Sequence, residues 1–451
     1  MTLTSPDDSL ASLDALASLA ELALSEARRL GASQAEASAS DERGLNVNVR
    51  VGEVESVERT RDRGVAVTVY FGRKKAQAST ADLKPESLRR TVEMACAIAR
   101  HTEEDAANGL ADAERMATSV TDFNQWHPWA LEADDAVALA LRAESAGRAA
   151  DARIANSEGA SVSTQASLSA YANSHGFVGR ERSTSHSLSV SLIAGQGDAM
   201  QGQHWYTAAM RAAELEDGEA VGRRAAERTL ARLDPRSAPT GEFPVLFVPE
   251  VSRSLVGHLI GAVSGGALYR KASFLLDAQG QQLFPDWMRI DELPHLPRGW
   301  RSGSFDADGV ATSPSALIDR GVLQRYVLGT YSARRLGLAS TGNAGGVHNL
   351  QVSANAEGFD EILRGMGTGL VVTELMGQGV NTVTGDYSRG AAGFWVEDGA
   401  IAYPVDELTI ASNLRDMFQR IEAVGTDVDP RSATAIGSVL VGRMMVAGGA
   451  G

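Results

Sequence analysis

Alternating apolar and polar positions run through most of this chain, interrupted by stripes with a helical period. The first stripe is Leu13, Leu16, Ala20, Leu24 and Ala27, one face of a helix over about residues 10–30. Asp8 or Ser9 is placed to cap its start, and Gly31 ends it. Short period-two runs at 35–40, 45–51, 54–61 and 65–71 predict strands. A helix over 85–101 follows, with Asp82 as its expected cap. Residues 102–117, rich in Glu, Asp, Ala and Asn, read as a solvated connection.

A second unit begins near Asp122, with a helix around 135–150 and two long alternating strands joined at Asn173-Ser174-His175-Gly176. The return strand puts His186, Leu188, Val190 and Leu192 on one face and Ser185, Ser187, Ser189 and Ser191 on the other. That is the pattern of a half-buried antiparallel strand. A helix over about 217–233 closes the unit, and residues 235–240 (PRSAPT) form the clearest linker. Beyond it come a strand at 243–248, a Gly-rich helical stretch, several strands, a helix near 359–364 and a last strand near 436–446. No internal repeat of solenoid period is present. The expected fold class is α+β: two small N-terminal α+β modules (1–104 and 120–234) and a C-terminal domain (240–451) rich in antiparallel strands.

Charge narrows the function classes. Acidic residues outnumber basic ones 57 to 42, a net −15, and such a surface repels nucleic-acid phosphates unless it carries a concentrated basic patch. The one basic cluster, Arg73-Lys74-Lys75, sits at a strand turn after Gly72 and reads as a hairpin tip. A single cysteine excludes an internal disulfide framework and fits a reducing cytosol. Cys96 shares a helix face with Leu88, Val92, Ala95 and Ala99, which makes it a buried, inert thiol. The start, MTLTSPDDS, lacks a basic region and an apolar signal core, and no apolar run is long enough to span a bilayer. The expectation is a soluble, cytoplasmic protein.

Residues 373–413 are the most distinctive segment. Gly377, Gly379, Gly385, Gly390 and Gly393 fall too irregularly for a phosphate loop, so each allows positive φ or lets another backbone pass close by. Phe394-Trp395-Val396, a turn at 397–400 and Ile401-Ala402-Tyr403 form an Asp-Gly hairpin, with Pro404 expected to end the pairing. Residue types alone allow a tightly wound loop with no ligand, or a site where an extended peptide lies against a strand edge.

The order Gly-Gln-Gly-Val-Asn (377–381), Thr-Gly-Asp-Tyr-Ser-Arg-Gly (384–390), Glu-Asp-Gly (397–399) and Tyr-Pro-Val (403–405) resembles the TldD/PmbA family, and its PmbA (TldE) branch in particular. The likeness extends to 257–275, 305–344 and 49–83, and thins between 103 and 153. It implies a cytoplasmic metallopeptidase system of two related chains. The TldD-type chain holds zinc through an HExxxH motif and a late cysteine and cuts small or unfolded peptides; the PmbA-type chain assembles with it. Here the matching window reads Arg253-Ser254-Leu255-Val256-Gly257-His258. Arg253 stands at the first ligand, and a guanidinium stays protonated and repels Zn²⁺; Ser254 stands at the base. No cysteine follows Cys96.

The resemblance therefore implies no catalytic or metal residue and no cofactor in this chain, with zinc in a TldD-type partner. Gly377, Gly379, Asn381, Gly385 and Asp386 are the candidate contacts for a peptide or that partner. Self-pairing of the isolated chain stays open. The rival readings are a stand-alone metallopeptidase with other ligands and a gyrase- or nucleic-acid-modulating protein, the latter opposed by the charge.

Other groupings fail on geometry. His258, among Leu255, Leu259 and Val263, reads as a structural helix residue rather than a ligand or base. Asp291, Glu292 and His295 lie beside Pro294 and Pro297, which forbid a shared helical face. His348 follows Gly345-Gly346 and reads as a loop residue, and Asp306-Ala307-Asp308-Gly309 as a turn rather than a calcium loop.

Overall fold

The computed structural model describes residues 6–448, so the MTLTS start and the last three residues of the 240–451 unit lie outside the described residues. The N-terminal half contains α1 (Pro6–Arg29), β1 (Gln34–Arg50), β2 (Glu53–Phe71), β3 (Lys74–Thr80) and α2 (Pro85–His101). It continues with α3 (Ala133–Arg148), β4 (Ile154–Asn173), β5 (Val178–Ala194), β6 (Gln201–Ala209) and α4 (Gly218–Leu230). All six strands join one antiparallel sheet in the order β3-β2-β1-β4-β5-β6, so strands from both predicted modules hydrogen-bond to each other through β1 and β4.

Several local expectations need correction. The four short strands at 35–71 are two long ones, because the polar breaks at 41–44 and 62–64 keep extended pairing (Asp41↔Arg63, Arg43↔Arg61). Helix α1 already runs at Pro6, so Asp8 and Ser9 lie within it. Asp82 does not cap α2: the cap position is Lys84, and Asp82 instead accepts from Lys84 N and Ser87 Oγ. Asp217 does cap α4, accepting from Ala220 N.

The period-two pattern sorts the two sheet faces. Ala35, Ala37, Val65, Val67, Leu168 and Ala170 are buried under α1 and α2; Val47, Val162, Leu188 and Val190 are buried under α3 and α4. All four helices thus cover one face. The other carries Ser161, Ser163, Ser167 and Ser169 on β4 and Ser183, Ser185, Ser187 and Ser189 on β5, all half-buried.

The C-terminal half contains β7 (Gly241–Phe247), α5 (Pro249–Val263), α6 (Gly265–Tyr269), β8 (Ile290–Glu292), β9 (Ser315–Asp319), β10 (Val322–Leu323), α7 (Thr330–Leu336) and β11 (Leu350–Val352). It ends with α8 (Phe359–Gly365), β12 (Gly369–Met376), β13 (Asp386–Glu397), β14 (Ala400–Asn413), α9 (Leu414–Gln419), β15 (Ile421–Val424), β16 (Thr434–Ala435) and β17 (Val439–Ala447). Strands β14-β13-β12-β7-β17 close into a barrel through pairing of Thr409, Ile410 and Ala411 with β17. In β7, Val245 and Phe247 enter the main core while Leu246 packs under α8 with Ile362 and Met366. Both faces are buried, which explains the unbroken apolar run there. Pro404 does not end the hairpin: it pairs opposite Phe394, and β14 continues to Asn413 after a register shift that absorbs the irregularity.

The two predicted connectors are docked segments. Residues 102–117 bury Ala107, Leu110 and Ala111. Arg334 of α7 donates to the Gly109 and Leu110 carbonyls at 3.0 and 2.7 Å, and Tyr331 Oη donates to Asp105 at 2.7 Å. Backbone bonds Ala117 N to Gly309 O and Ala311 N to Arg115 O complete the strap. A composition poor in large apolar residues hid this, because backbone carbonyls make most of the contact. In the 235–240 segment, Arg236 N donates to Pro404 O at 2.9 Å and Ala238 is buried.

Candidate functional site

Helix α5 starts at Pro249, whose fixed φ suits a first turn. It buries Ser252, Leu255, Val256, Leu259, Ala262 and Val263. That periodicity leaves Arg253, Ser254, Gly257, His258 and Gly261 on the outer face. Among the described residues nothing from outside the helix lies within 4 Å of where a Cβ on Gly257 or Gly261 would sit, so α5 is uncovered at these two positions.

Arg253, Ser254 and His258 point to different partners. Arg253 Nη1 lies 3.7 Å from Asp429 Oδ2, and buried Asp429 also pairs with Arg431 at 2.7 Å. Ser254 Oγ donates to its own helix, at Val251 O, at 2.7 Å. His258 meets the Tyr387 ring edge-on with centroids 5.9 Å apart. Its Nε2 and the Tyr387 hydroxyl are both buried without a hydrogen-bond partner among the described residues. Burial, helped by the nearby Arg389 charge, lowers the His258 pKa and keeps the imidazole neutral. Burial also pushes the Tyr387 phenol up.

Tyr387 is where the glycine loop meets this helix. Between β12 and β13 the loop is pinned by its own backbone. Asn381 N donates to Asp386 O and Gly385 N to Asn381 O, each at 2.8 Å, and Thr384 Oγ1 donates to Asp386 Oδ2 at 2.6 Å. Phe274 N and Leu414 N bond Thr382 O and Gly385 O from outside. The glycines divide into the two expected kinds. Gly377 and Gly385 have φ of +73° and +83°. At Gly379 the constraint is space: a Cβ would overlap the Ser388 carbonyl oxygen, and Ser388 N donates to Gly379 O at 2.7 Å. The structure thus brings His258 to the loop through Tyr387 and holds Arg253 away on Asp429.

The remaining sequence candidates separate as their prolines required. Asp291 pairs with Arg289 at 2.7 Å, and His295 stacks on Phe123 and bonds Thr312. Glu292, 2 % exposed, accepts from His348 N and Asn343 Nδ2 and pairs with Arg325 and with His348 Nδ1 at 2.8 Å. Burial alone would raise its pKa, but the His348 hydrogen bonds and Arg325 hold it below the ordinary range. Loop residue His348 is therefore a partner of a buried carboxylate. Cys96 is fully buried in α2, and burial raises its thiol pKa. Asp306 forms the expected turn, accepting from Asp308 N, Val310 N and Ala344 N.

Sequence reasoning missed a cavity of about 400 Å³ between the serine-bearing sheet face and the Phe305–Ala307 turn. Glu36, Tyr171, Glu181 and Asp306 line it. Glu36 accepts from Tyr70 Oη and Tyr171 Oη at 3.0 and 2.9 Å, yet burial raises its pKa. Burial lifts Asp306 to about 6, and desolvation by the cavity walls lifts Glu181, whose side chain is partly exposed, to about 7. These groups come from three strands and a loop distant in sequence, so no local spacing could have announced them.

Family models described as PmbA/TldA metallopeptidase domain 1, central domain and C-terminal domain match residues 35–99, 126–233 and 240–448. The chain belongs to the PmbA/TldD family. It is 47 % identical to Metalloprotease PmbA of Escherichia coli O157:H7 over 414 residues, covering 92 % of each chain. It is 44 % identical to the Metalloprotease PmbA homolog of Haemophilus influenzae over 423 residues, covering 94 % of each. A Bacteroides thetaiotaomicron crystal structure named for a proposed modulation of DNA gyrase superimposes with a TM-score of 0.91 at 26 % identity, covering 96 % of this chain and 98 % of that one. TldE from Thermococcus kodakarensis shares the fold, with a TM-score of 0.83 at 19 % identity over 95 % of this chain and 100 % of that one.

Membership of the PmbA/TldD family raises the question of a metal. A hydrolytic zinc site needs three protein ligands of imidazole, thiolate or carboxylate type and a water position. On α5 the donors of such a type are His258 and Glu250, and Glu250 is already paired with Arg228 and Arg431; Arg253 brings a fixed positive charge, and Cys96 is buried in the core under α1 and α2. Among the described residues no three His, Cys, Asp or Glu side chains are grouped to hold a metal ion. The donor set of this PmbA-branch chain does not fit zinc.

Proposed function

We propose that this chain is the zinc-lacking, non-catalytic subunit of a cytoplasmic two-chain TldD/PmbA-type metallopeptidase that cleaves small or unfolded peptides. The observation that carries the reading is Arg253. A guanidinium held toward Asp429 occupies the first ligand position, and a cation there opposes Zn²⁺ instead of binding it. Peptide-bond hydrolysis then depends on the zinc-bound water of a TldD-type partner.

What this chain contributes is shape and hydrogen bonding. The half-buried serines of β4 and β5 offer a broad hydroxyl surface, which suits hydrogen bonding to an extended peptide. The self-pinned loop at Gly377, Gly379, Asn381, Gly385 and Asp386 supplies a rigid edge for peptide or partner.

The test is reconstitution. Purified alone, the chain leaves an unstructured peptide intact; mixed with a TldD-type chain, it raises cleavage. Cleavage by the isolated chain that disappears in His258→Ala would overturn the reading.

A further inference from the structure

At the seam between the N-terminal sheet domain and the barrel, Arg224, Arg228 and Arg232 are spaced four residues apart along α4 and the turn that follows it. They line a cavity of about 220 Å³ with Gln203, Thr373 and Phe394, the last two from β12 and β13. Glu227 is the one carboxylate in that lining.

Arg232 is 3 % exposed, and its charge is loosely met. Nη1 is 3.4 Å from Thr373 Oγ1 and 3.9 Å from Glu374 Oε2, and Nη2 is 3.5 Å from Asp406 Oδ2. Glu374 Oε2 already accepts a 2.7 Å hydrogen bond from Gln203 Nε2. Arg232 Nε has no hydrogen-bond partner among the described residues. A buried guanidinium normally satisfies its five donors with paired oxygens, so one left this way marks a place for another acceptor. Arg224 reaches Glu227 at 3.8 Å and lies over the Trp205 ring, 5.4 Å from its centroid. Arg228 pairs with Glu250 at 3.2 Å, outside this cavity's lining. Burial lowers the Arg228 pKa, and the Arg224 and Arg431 charges add to that against the pull of Glu250, as expected where cations are crowded.

We propose that this cavity is an oxyanion site, taking the carboxylate or phosphate group of a small ligand between Arg224, Arg228 and Arg232. Planar guanidinium forks match either group with paired N–H···O bonds. Because α4 supplies the arginines and β12–β13 the opposite wall, an occupied site ties the sheet domain to the barrel.

Calorimetric titration of the full chain with inorganic phosphate, chloride adjusted to hold ionic strength constant, tests this directly. The expected result is saturable binding of one phosphate per chain, weakened at least tenfold in Arg224→Gln and partly restored in Arg224→Lys. Arg224 is exposed, so its replacement leaves folding intact. A parallel titration uses a short peptide with a free C-terminus and its C-terminal amide. Binding of the free acid but not the amide identifies a peptide carboxylate as a ligand, and binding of phosphate alone identifies a phosphate ligand. No saturable binding of either probe, equal phosphate affinity in wild type and Arg224→Gln, or saturable peptide binding that is equally strong for acid and amide overturns the proposal. None of these results bears on the zinc-lacking role of the α5 motif.

Discussion

Gly377 and Gly379 sit two residues apart in one loop, and the structure assigns them different costs on substitution. Gly377→Ala places a Cβ in open space but at φ +73°, where an L-residue loses roughly 1 kcal/mol. Gly379→Ala keeps an ordinary φ but drives its Cβ into the Ser388 carbonyl oxygen, which belongs to β13. Relief requires displacing the loop from β13 and breaking the 2.7 Å Ser388 N to Gly379 O bond. Overpacking of about 1–3 kcal/mol and a lost hydrogen bond of about 1 kcal/mol together give roughly 2–4 kcal/mol. For a domain the size of this barrel half, that corresponds to a melting shift of about 4–16 °C, against about 2–4 °C for Gly377→Ala. Because Tyr387 is the next residue along β13, the displacement also disturbs its contact with His258. Calorimetric melting of both variants reads the difference. In the reconstituted pair, Gly379→Ala raises KM more than it lowers kcat, since no loop group takes part in bond breaking. If Gly379→Ala melts with wild type while Gly377→Ala is the worse variant, the close-approach argument is wrong. A collapsed kcat at unchanged KM would place the loop at the reaction centre.

Four further outcomes follow from the same geometry. Elemental analysis of the purified chain finds far less than one zinc per molecule; about one tightly held zinc would contradict the α5 assignment. Glu292→Ala strands the buried Arg325 and His348 without their carboxylate and costs about 3–5 kcal/mol, read as a lowered melting temperature. The pH dependence at Glu181 has a definite sign. Its folded pKa is raised from 4.5 to about 7, so stability is full below 4.5 and declines as pH rises through 7. Glu181→Gln therefore melts higher than wild type at pH 8 and equally at pH 4; a difference of opposite sign refutes the desolvation of that carboxyl beside the cavity. Cys96 resists a thiol reagent in the native protein and reacts after unfolding, so rapid native labelling would show that α2 does not cover it.

Local physics made much of this molecule readable from the chain. The Leu and Ala stripe of α1, the serine alternation of β5 and the Asp-Gly turn at 398–399 each announced an element, because side-chain period alone decides which face is buried. The chemistry of Arg253 was readable too, because a guanidinium stays protonated in any conformation and cannot ligate zinc. Pairing over distance was not readable. That β1 joins β4, that β14 closes on β17, and that Arg334 straps residues 107–110 to the barrel depend on contacts between segments far apart in sequence. The carboxyl-lined cavity and the arginine seam arose in the same way. Glu181 and Asp306, or Arg232 and Thr373, are unremarkable in their own segments, and only packing near another element gives them perturbed charge or an unmet donor. Sequence period determined the elements and their inner faces, whereas desolvation and long-range pairing, which exist only in the folded chain, decided where its chemistry lies.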